Sequence, residues 1–307
     1  MYNLIIIGAG PAGMTAAIYA ARRKINFLIL SLDIGGQMNW SSEVDNYPGL
    51  PNVTGIQIVT KFNEHLKNYN IKVKTEEVKD IIKKGKIFAV KTKKSVYETK
   101  TIIIASGKKP KKLNVPGEDI LLGRGLSYCA TCDAPLYKDK IVAVIGAGNS
   151  GLDAALHLSK YAKKIYLMDI QPKISGETYL KDRVSAETKI SFIGNAKIKS
   201  VIGKNFVEAI KYEIKGEEKI LPVQGIFVET GLIAKVDFAN IVKKNKWGEI
   251  MIFRSTKTNE ENMTNIPGIF AAGDVTDIPA NQIVASAGDC CKAVLAVLYY
   301  LNKFKEK

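Results

Sequence analysis

Two cysteines three residues apart, Cys129 and Cys132, lie between two copies of a glycine-rich turn. The copies are Gly8-Ala9-Gly10-Pro11-Ala12-Gly13 and Gly146-Ala147-Gly148-Asn149-Ser150-Gly151. The thiolate is the nucleophile in disulfide exchange, and two cysteines at this spacing at a helix start can share one lowered pKa. The glycines suit different chemistry. The first makes a tight turn, the second lets a pyrophosphate approach the backbone, and the third lets helix and strand pack closely. The helix N-terminus then supplies an anion site. A dithiol flanked by two dinucleotide sites reads as an electron path from nicotinamide through flavin to a disulfide.

The elements around these residues support that reading. Each glycine turn follows an apolar strand, Leu4-Ile5-Ile6-Ile7 or Val142-Ala143-Val144-Ile145, and opens an alanine-rich helix. That context gives the pattern its physical meaning. The repeat offset is 146 − 8 = 138 residues, which suits two related nucleotide-binding domains rather than a solenoid. A second strand, 27–31 in one copy and 165–169 in the other, completes each βαβ unit.

Short alternating strands are expected at 71–74, 87–91 and 96–99, followed by a buried run at 101–105. An antiparallel set is expected from about 190 to 228. The proline-broken Lys108-Lys109-Pro110-Lys111-Lys112 and the stretch 231–238 read as crossovers. A final strand and turn, Gly268 to Asp274, and a helix from about 285 to 302 close the chain. The expected fold class is α/β, with two Rossmann-like dinucleotide-binding domains, the second inserted into the first. Residues 1–110 and 239–307 form the discontinuous first domain, and 111–238 form the insert that carries the cysteine pair.

Composition narrows the partners. At 307 residues, 46% hydrophobic and 24% charged, the chain has enough material for two cores. The net charge is +15, yet only five of the 45 basic residues are arginine. No arginine-rich stripe with interleaved aromatics appears, so nucleic acid is not an expected partner. The lysines read either as a solvated surface or as steering for an acidic electron-carrier protein. No uninterrupted apolar run of ~18 residues appears, so no membrane span is expected, and the N-terminus has no secretory pattern. Four cysteines are too few for a disulfide scaffold, and the cytoplasm is the expected compartment. A zinc site at Cys129, Cys132, Cys290 and Cys291 is the competing use. Adjacent cysteines are poor tetrahedral partners, however, and Cys290 and Cys291 read as small residues of a core helix. No metal site is expected.

Several stretches together resemble the low-molecular-weight thioredoxin reductases and the C-terminal part of the alkyl hydroperoxide reductase flavoprotein subunit. Besides the glycine turns, they are Gly35-Gly36-Gln37, Glu43-Val44-Asp45-Asn46-Tyr47-Pro48-Gly49, Gly123-Arg124-Gly125, Cys129-Ala130-Thr131-Cys132-Asp133 and Ala271-Ala272-Gly273-Asp274-Val275. The resemblance spans essentially the whole chain. It implies FAD in the first domain, NADH or NADPH in the second, and a homodimer. The flavin contacts it implies are Gly8, Gly10, Pro11, Ala12, Gly13, Gly36, Gln37, Asn46, Gly107, Gly273, Asp274, Gln282 and Ile283. Those for the nicotinamide nucleotide are Gly146, Gly148, Asn149, Ser150, Gly151 and Asp169. By the same resemblance Cys132 lies against the flavin, Cys129 attacks the substrate disulfide, and Asp133 manages the proton. Helix capping is the alternative role for Asp133.

Three departures matter. NADPH-using relatives carry His-Arg-Arg-x-x-x-Arg where this chain has Asp169, Ile170, Gln171 and Ser175. A carboxylate there accepts from a free 2′-hydroxyl and repels a 2′-phosphate, so NADH is the expected donor. The alternative is that Asp169 only ends the strand and is neutralised by Lys173. Gly231-Leu232-Ile233-Ala234-Lys235 lacks the relatives' Pro-Asn, and Asn281 replaces an Arg or Lys. These losses keep open a relative that draws electrons from ferredoxin, while a non-enzymatic nucleotide-responsive module is a third reading. No N-terminal thioredoxin-like domains of the peroxide-reductase kind are seen, so the expected substrate is a discrete thioredoxin or glutaredoxin-like protein. Dithiol and nicotinamide site share one domain, so the crossovers are expected to act as hinges between half-reactions.

Overall fold

The computed structural model describes residues 1–41, 44–253 and 260–305; Glu43 and Arg254 lie outside them. Strand β1 (Tyr2–Ile7) leads through the first glycine turn into α1 (Pro11–Arg22), and β2 (Phe27–Ser31) follows. After α2 (Gly55–Asn68) come β3 (Val73–Thr75), β4 (Val78–Lys84), β5 (Ile87–Thr92), β6 (Val96–Ile104) and β7 (Lys108–Pro110). The insert begins with α3 (Glu118–Leu121), β8 (Leu126–Ser127) and α4 (Ala130–Asp133). Its own glycine turn joins β9 (Ile141–Ile145) to α5 (Asn149–Ser159), then β10 (Lys164–Met168), α6 (Thr178–Ala186) and β11 (Ile190–Ile193). An antiparallel trio follows, β12 (Lys197–Ile202), β13 (Ala209–Ile214) and β14 (Glu217–Pro222), and then β15 (Gly225–Val228) and β16 (Leu232–Ala234). Strand β17 (Ile269–Ala271) and helix α7 (Ile283–Lys305) end the chain.

Two compact units result: Met1–Lys109 with Ile233–Lys307, and Pro110–Leu232. The outward crossing lies within one residue of the expected 110/111. The return falls at 232/233 rather than 238/239, because Ala234 and Val236 are buried in the first unit's core and the Lys235 amide bonds the Gly107 carbonyl. The crossing strands β7 and β16 pair as a two-stranded ribbon.

In the first unit the sheet order is β3-β2-β1-β6-β5-β4, with β17 also pairing with β6. Strands β3, β2, β1, β6 and β17 run parallel, while β4 and β5 join by antiparallel pairing. Residues 96–99, expected as a short strand, and the expected buried run 101–105 as far as Ile104 form the single strand β6. Its first half pairs with β5 and its second half with β1 and β17. Leu4, Ile5, Ile6, Ile102, Ile103 and Ile104 are fully buried, as a parallel sheet covered on both faces demands.

Helix α1 packs against α7, and Ala16, Ala17 and Ala20 of the one share a core cluster with Cys290, Ala293 and Val294 of the other. Cys290 is thus the core residue the sequence suggested, whereas Cys291 is half-buried. Residues Ile283–Lys303 of α7 are long and apolar enough to cross a bilayer. Asp289 and Lys292 interrupt the apolar run, and the helix owes its apolarity to packing in this core.

The second unit repeats the arrangement in miniature, with order β11-β10-β9-β15-β8 and every pair parallel. The antiparallel set is therefore β12–β14 alone. Residues 190–193 and 225–228 flank it in sequence but belong to the parallel sheet, where β11 extends β10 and β15 extends β9.

Candidate active site

In the first unit the glycines divide by role. Gly8 sits at φ +109, where a Cβ would lie 2.2 Å from the Ala105 carbonyl oxygen; a Cβ on Gly13 would lie 1.9 Å from the Gly8 oxygen. Both are required by the protein itself. Gly10 is not: its backbone is extended, and a Cβ there would meet nothing closer than the Gly35 oxygen at 3.9 Å. The space that it leaves open fits a ligand in contact with the backbone.

Helix α1 also starts without a side-chain cap, so its first N–H groups remain available to an anion. Helix α2 differs, closing its N-terminus with a capping box of Thr54 and Gln57. The cradle is completed from distant sequence. Gly36 lies with its would-be Cβ 3.4 Å from the Gly10 Cα, and the Gly35 amide donates to the Ala9 carbonyl. Gln37 Nε2 donates to Asp274 Oδ2 at 3.2 Å, and Ser286 Oγ donates to Asp274 Oδ1 at 3.0 Å. Asn46 Nδ2 donates to Gln282 Oε1 at 3.0 Å. Gly273, at φ +75, backs onto Ala12 and Ser286, while Gly107 approaches the Gln37 amide. Burial pushes the Asp274 carboxyl up, and Ser286, Lys108 and Gln37 pull it back.

Most of the flavin contacts anticipated in sequence therefore meet around one cradle, with Pro11 and Ala12 in the first turn of α1 and Ile283 starting α7. Ser286 and Lys108 were not anticipated. Lys108 Nζ donates to Glu249 Oε1 at 2.9 Å and to Asn281 Oδ1 at 3.2 Å. Asn281 thus accepts from a cation on β7.

The second unit repeats the logic. Gly146, at φ +111, would place a Cβ 2.2 Å from the Glu229 oxygen, and Gly151 one 1.8 Å from the Gly146 oxygen; around Gly148 the nearest atom is Ser175 Oγ at 3.9 Å. Helix α5, opening with Asn149 and Ser150, is likewise uncapped by a side chain. Asp169 Oδ2 accepts from the Ala147 amide at 2.6 Å, and its Oδ1 accepts from the Gln171 amide at 2.8 Å. No ion pair joins it to Lys173 among the described residues. The loop beyond closes over the turn: Ser175 Oγ donates to the Ala147 carbonyl, the Glu177 amide donates to Asn149 Oδ1, and Asn149 Nδ2 donates to Glu177 Oε1. At the end of β15, burial first and Asp153 second push the Glu229 carboxyl up to about 8.

Cys129 and Cys132 are joined as a disulfide, with S–S 2.07 Å and Cα atoms 5.3 Å apart. Cys132 is exposed and Cys129 half-buried. Cys129 caps α4, its sulfur accepting from the Cys132 amide at 3.2 Å. Such a donor favours a thiolate on Cys129 once the bond is open. The cap at this turn is therefore a cysteine, and the Asp133 side chain makes no capping bond.

Ser127 Oγ accepts from the Cys129 amide at 3.0 Å. Next to the pair, Tyr128 donates to the buried Glu118, which also accepts from the Leu113 and Asn114 amides at 2.7 Å each. Burial and then Glu118 push the Tyr128 hydroxyl up. Neither histidine joins the site: His65 lies on α2, and His157 lies on α5, where burial and then Lys160 hold it below its ordinary value.

A two-unit fold with paired glycine cradles and a disulfide between cysteines three residues apart defines a class, and similarity to known proteins agrees. The chain belongs to the pyridine nucleotide-disulphide oxidoreductase family, whose model matches residues 2–288. It is 37% identical over 305 residues to the F subunit of alkyl hydroperoxide reductase from Staphylococcus epidermidis, covering 98% of this chain and 59% of that protein's length. It resembles the crystal structure of Lactococcus lactis thioredoxin reductase, with 32% identity, a TM-score of 0.93, and coverage of 99% of this chain and 100% of that one. A ferredoxin-flavin thioredoxin reductase from Clostridium acetobutylicum shares 33% identity at a TM-score of 0.56, covering 100% and 99% of the two chains. The fold is that of this family and of the solved thioredoxin reductases the chain resembles, and these relatives imply FAD and a nicotinamide nucleotide.

Proposed function

We propose that this protein is an FAD-dependent disulfide reductase that prefers NADH to NADPH and passes electrons through Cys129–Cys132 to a thioredoxin or glutaredoxin-like protein. The observation that carries the reading is the disulfide, held in the same unit as the glycine cradle that Asp169 borders. Gly8, Gly10 and Gly13 with Gly36, Gln37, Asn46, Gly107, Gly273, Asp274, Gln282 and Ile283 hold FAD. Gly146, Gly148, Asn149, Ser150 and Gly151 hold the nucleotide pyrophosphate, and Asp169 accepts from the 2′-hydroxyl of its adenosine ribose. FAD, when bound, supplies the two electrons that open the Cys129–Cys132 bond.

The remaining steps belong to the chain's own atoms. The Cys129 thiolate, favoured by the Cys132 amide, attacks the partner's disulfide. One Cys129–partner bond forms and one partner thiolate leaves, taking a proton by way of Asp133. Cys132 then attacks Cys129 Sγ, which restores the internal disulfide and releases the second partner thiol. Two electrons have moved, and the partner is reduced. Because the dithiol and the nicotinamide site share a unit, we assign β7 and β16 as hinges between the half-reactions. A crosslink that ties the units together should leave one half-reaction intact and stop turnover, and unaffected turnover would remove the hinge. The working state is a homodimer in a reducing compartment, the cytoplasm.

Anaerobic titration of the purified protein tests the scheme. It should be yellow and bleach with NADH, less readily with NADPH. Cys132→Ser should bleach yet fail to reduce the partner; retained partner reduction would sink the dithiol path. One second reading has a specific basis. The similarity to a ferredoxin-flavin enzyme, together with Asn281 and Ile233-Ala234-Lys235, favours ferredoxin as donor. Bleaching by reduced ferredoxin but not by NADH would select it.

A further inference from the structure

Lys108 follows Gly107 of the first cradle and plays no part in the scheme above, yet its side chain is only 8% exposed. A buried ammonium is costly unless it is paired and hydrogen-bonded. Glu249 and Asn281 take two of its three N–H donors, and no third acceptor lies within hydrogen-bond reach among the described residues. Glu249 is held on its far side by Asn245, whose Nδ2 donates to Oε2 at 2.8 Å, and is itself 20% exposed. The other neighbours of Lys108 belong to the cradle: Asn281, adjoining Gln282 at the start of α7, and Asp274, whose ionisation the ammonium favours.

We propose that Lys108 is the cation that sets the reduction potential of the FAD that this cradle would hold, a fixed positive charge on the Asp274 and Asn281 side of the cradle that would favour the anionic reduced form. The inference rests on the reading that this cradle takes FAD. Charge that appears only on reduction is stabilised most by a pre-placed, poorly hydrated cation, because nothing must reorganise when the electrons arrive. The start of α7, with its partial positive charge, works in the same sense. Glu249 opposes it, so removing either partner moves the potential in opposite directions.

The experiment uses the full chain in a Cys129→Ser/Cys132→Ser background, so that the flavin is the sole two-electron centre. The midpoint potential is read by equilibration with a reference dye, and FAD affinity by fluorescence titration of the apoprotein. Lys108→Met should disfavour the reduced flavin about tenfold, ~30 mV for a two-electron couple. Lys108→Arg should restore most of that shift. Glu249→Gln should favour the reduced form, and it keeps the test open if Lys108→Met does not fold. An unchanged potential in flavin-loaded Lys108→Met or Glu249→Gln, or a change in FAD affinity alone, would overturn the assignment. Failure of the parent protein to bind FAD would instead sink the functional reading beneath it.

Discussion

The two glycine cradles share one backbone and differ in the side chains set around it. In both, the first glycine is left-handed, the third is pressed against the first, and the middle one stands clear of protein. In both, the amide after the first glycine donates to the residue at the end of the second strand. That residue is Ser31 in one unit, at 3.2 Å, and Asp169 in the other, at 2.6 Å. Where the neighbouring strand passes the first glycine, the first unit has Ala105 and the second Glu229. The backbone builds a generic dinucleotide site. At these two places the units differ, a hydroxyl and a methyl in the first against two carboxyl groups in the second.

The largest effects should fall on the glycines the two cradles need for themselves. Gly146→Ala, like Gly8→Ala, forces a Cβ onto a carbonyl oxygen at positive φ. It should cost about 3 kcal/mol or more, a Tm drop of roughly 10 °C by calorimetry. An unchanged Tm would mean the turn is not built as described. Gly148→Ala should leave Tm within about 1 °C yet weaken NADH binding roughly 30-fold, about 2 kcal/mol, in a titration monitored by fluorescence. Gly10→Ala should do the same for FAD, and full retention of both affinities would break the parallel.

Making the cradles alike is a gentler test. Asp169→Ser gives the second unit the residue of the first, and should raise the NADPH-to-NADH ratio of kcat/KM about tenfold, ~1.4 kcal/mol. A ratio that stays put would leave Asp169 as a strand end only.

Glu229→Gln should have the smallest effect, and one that depends on pH. The folded protein holds Glu229 protonated up to about 8, against an ordinary 4.5. The wild type therefore binds the extra proton only when folded. That contribution to stability is full below pH 4.5 and is lost as the pH rises through 8. The variant should melt a few degrees above wild type near pH 9, with the gap closing toward pH 4.5. A gap independent of pH would show that Glu229 is not buried as a neutral acid.

Much of this was legible in the chain because the signals are local. Apolar strands entering glycine turns announced both βαβ units, and the 138-residue offset also carries Asp169 back to position 31, so Ser31 could have been read as its counterpart. Strand assignment failed where pairing is not local. The β11 and β15 segments look like the antiparallel strands between them, and only their neighbours β10 and β9 make them parallel. In the sequence Lys108 belongs to a polar crossover. Its burial comes from Glu249 and Asn281, more than a hundred residues later, and lysine spacing carries no trace of that.

The amino-acid order by itself determined that there are two dinucleotide cradles and one cysteine pair, since each is written in adjacent residues whose backbone needs are intrinsic. What only the tertiary structure decided is which side chains face one another across those cradles: Gln37 on Asp274, Asn46 on Gln282, Lys108 between Glu249 and Asn281. Such contacts are closed by burial and charge pairing over long loops. Their energy exists only once the sheet has brought the segments together.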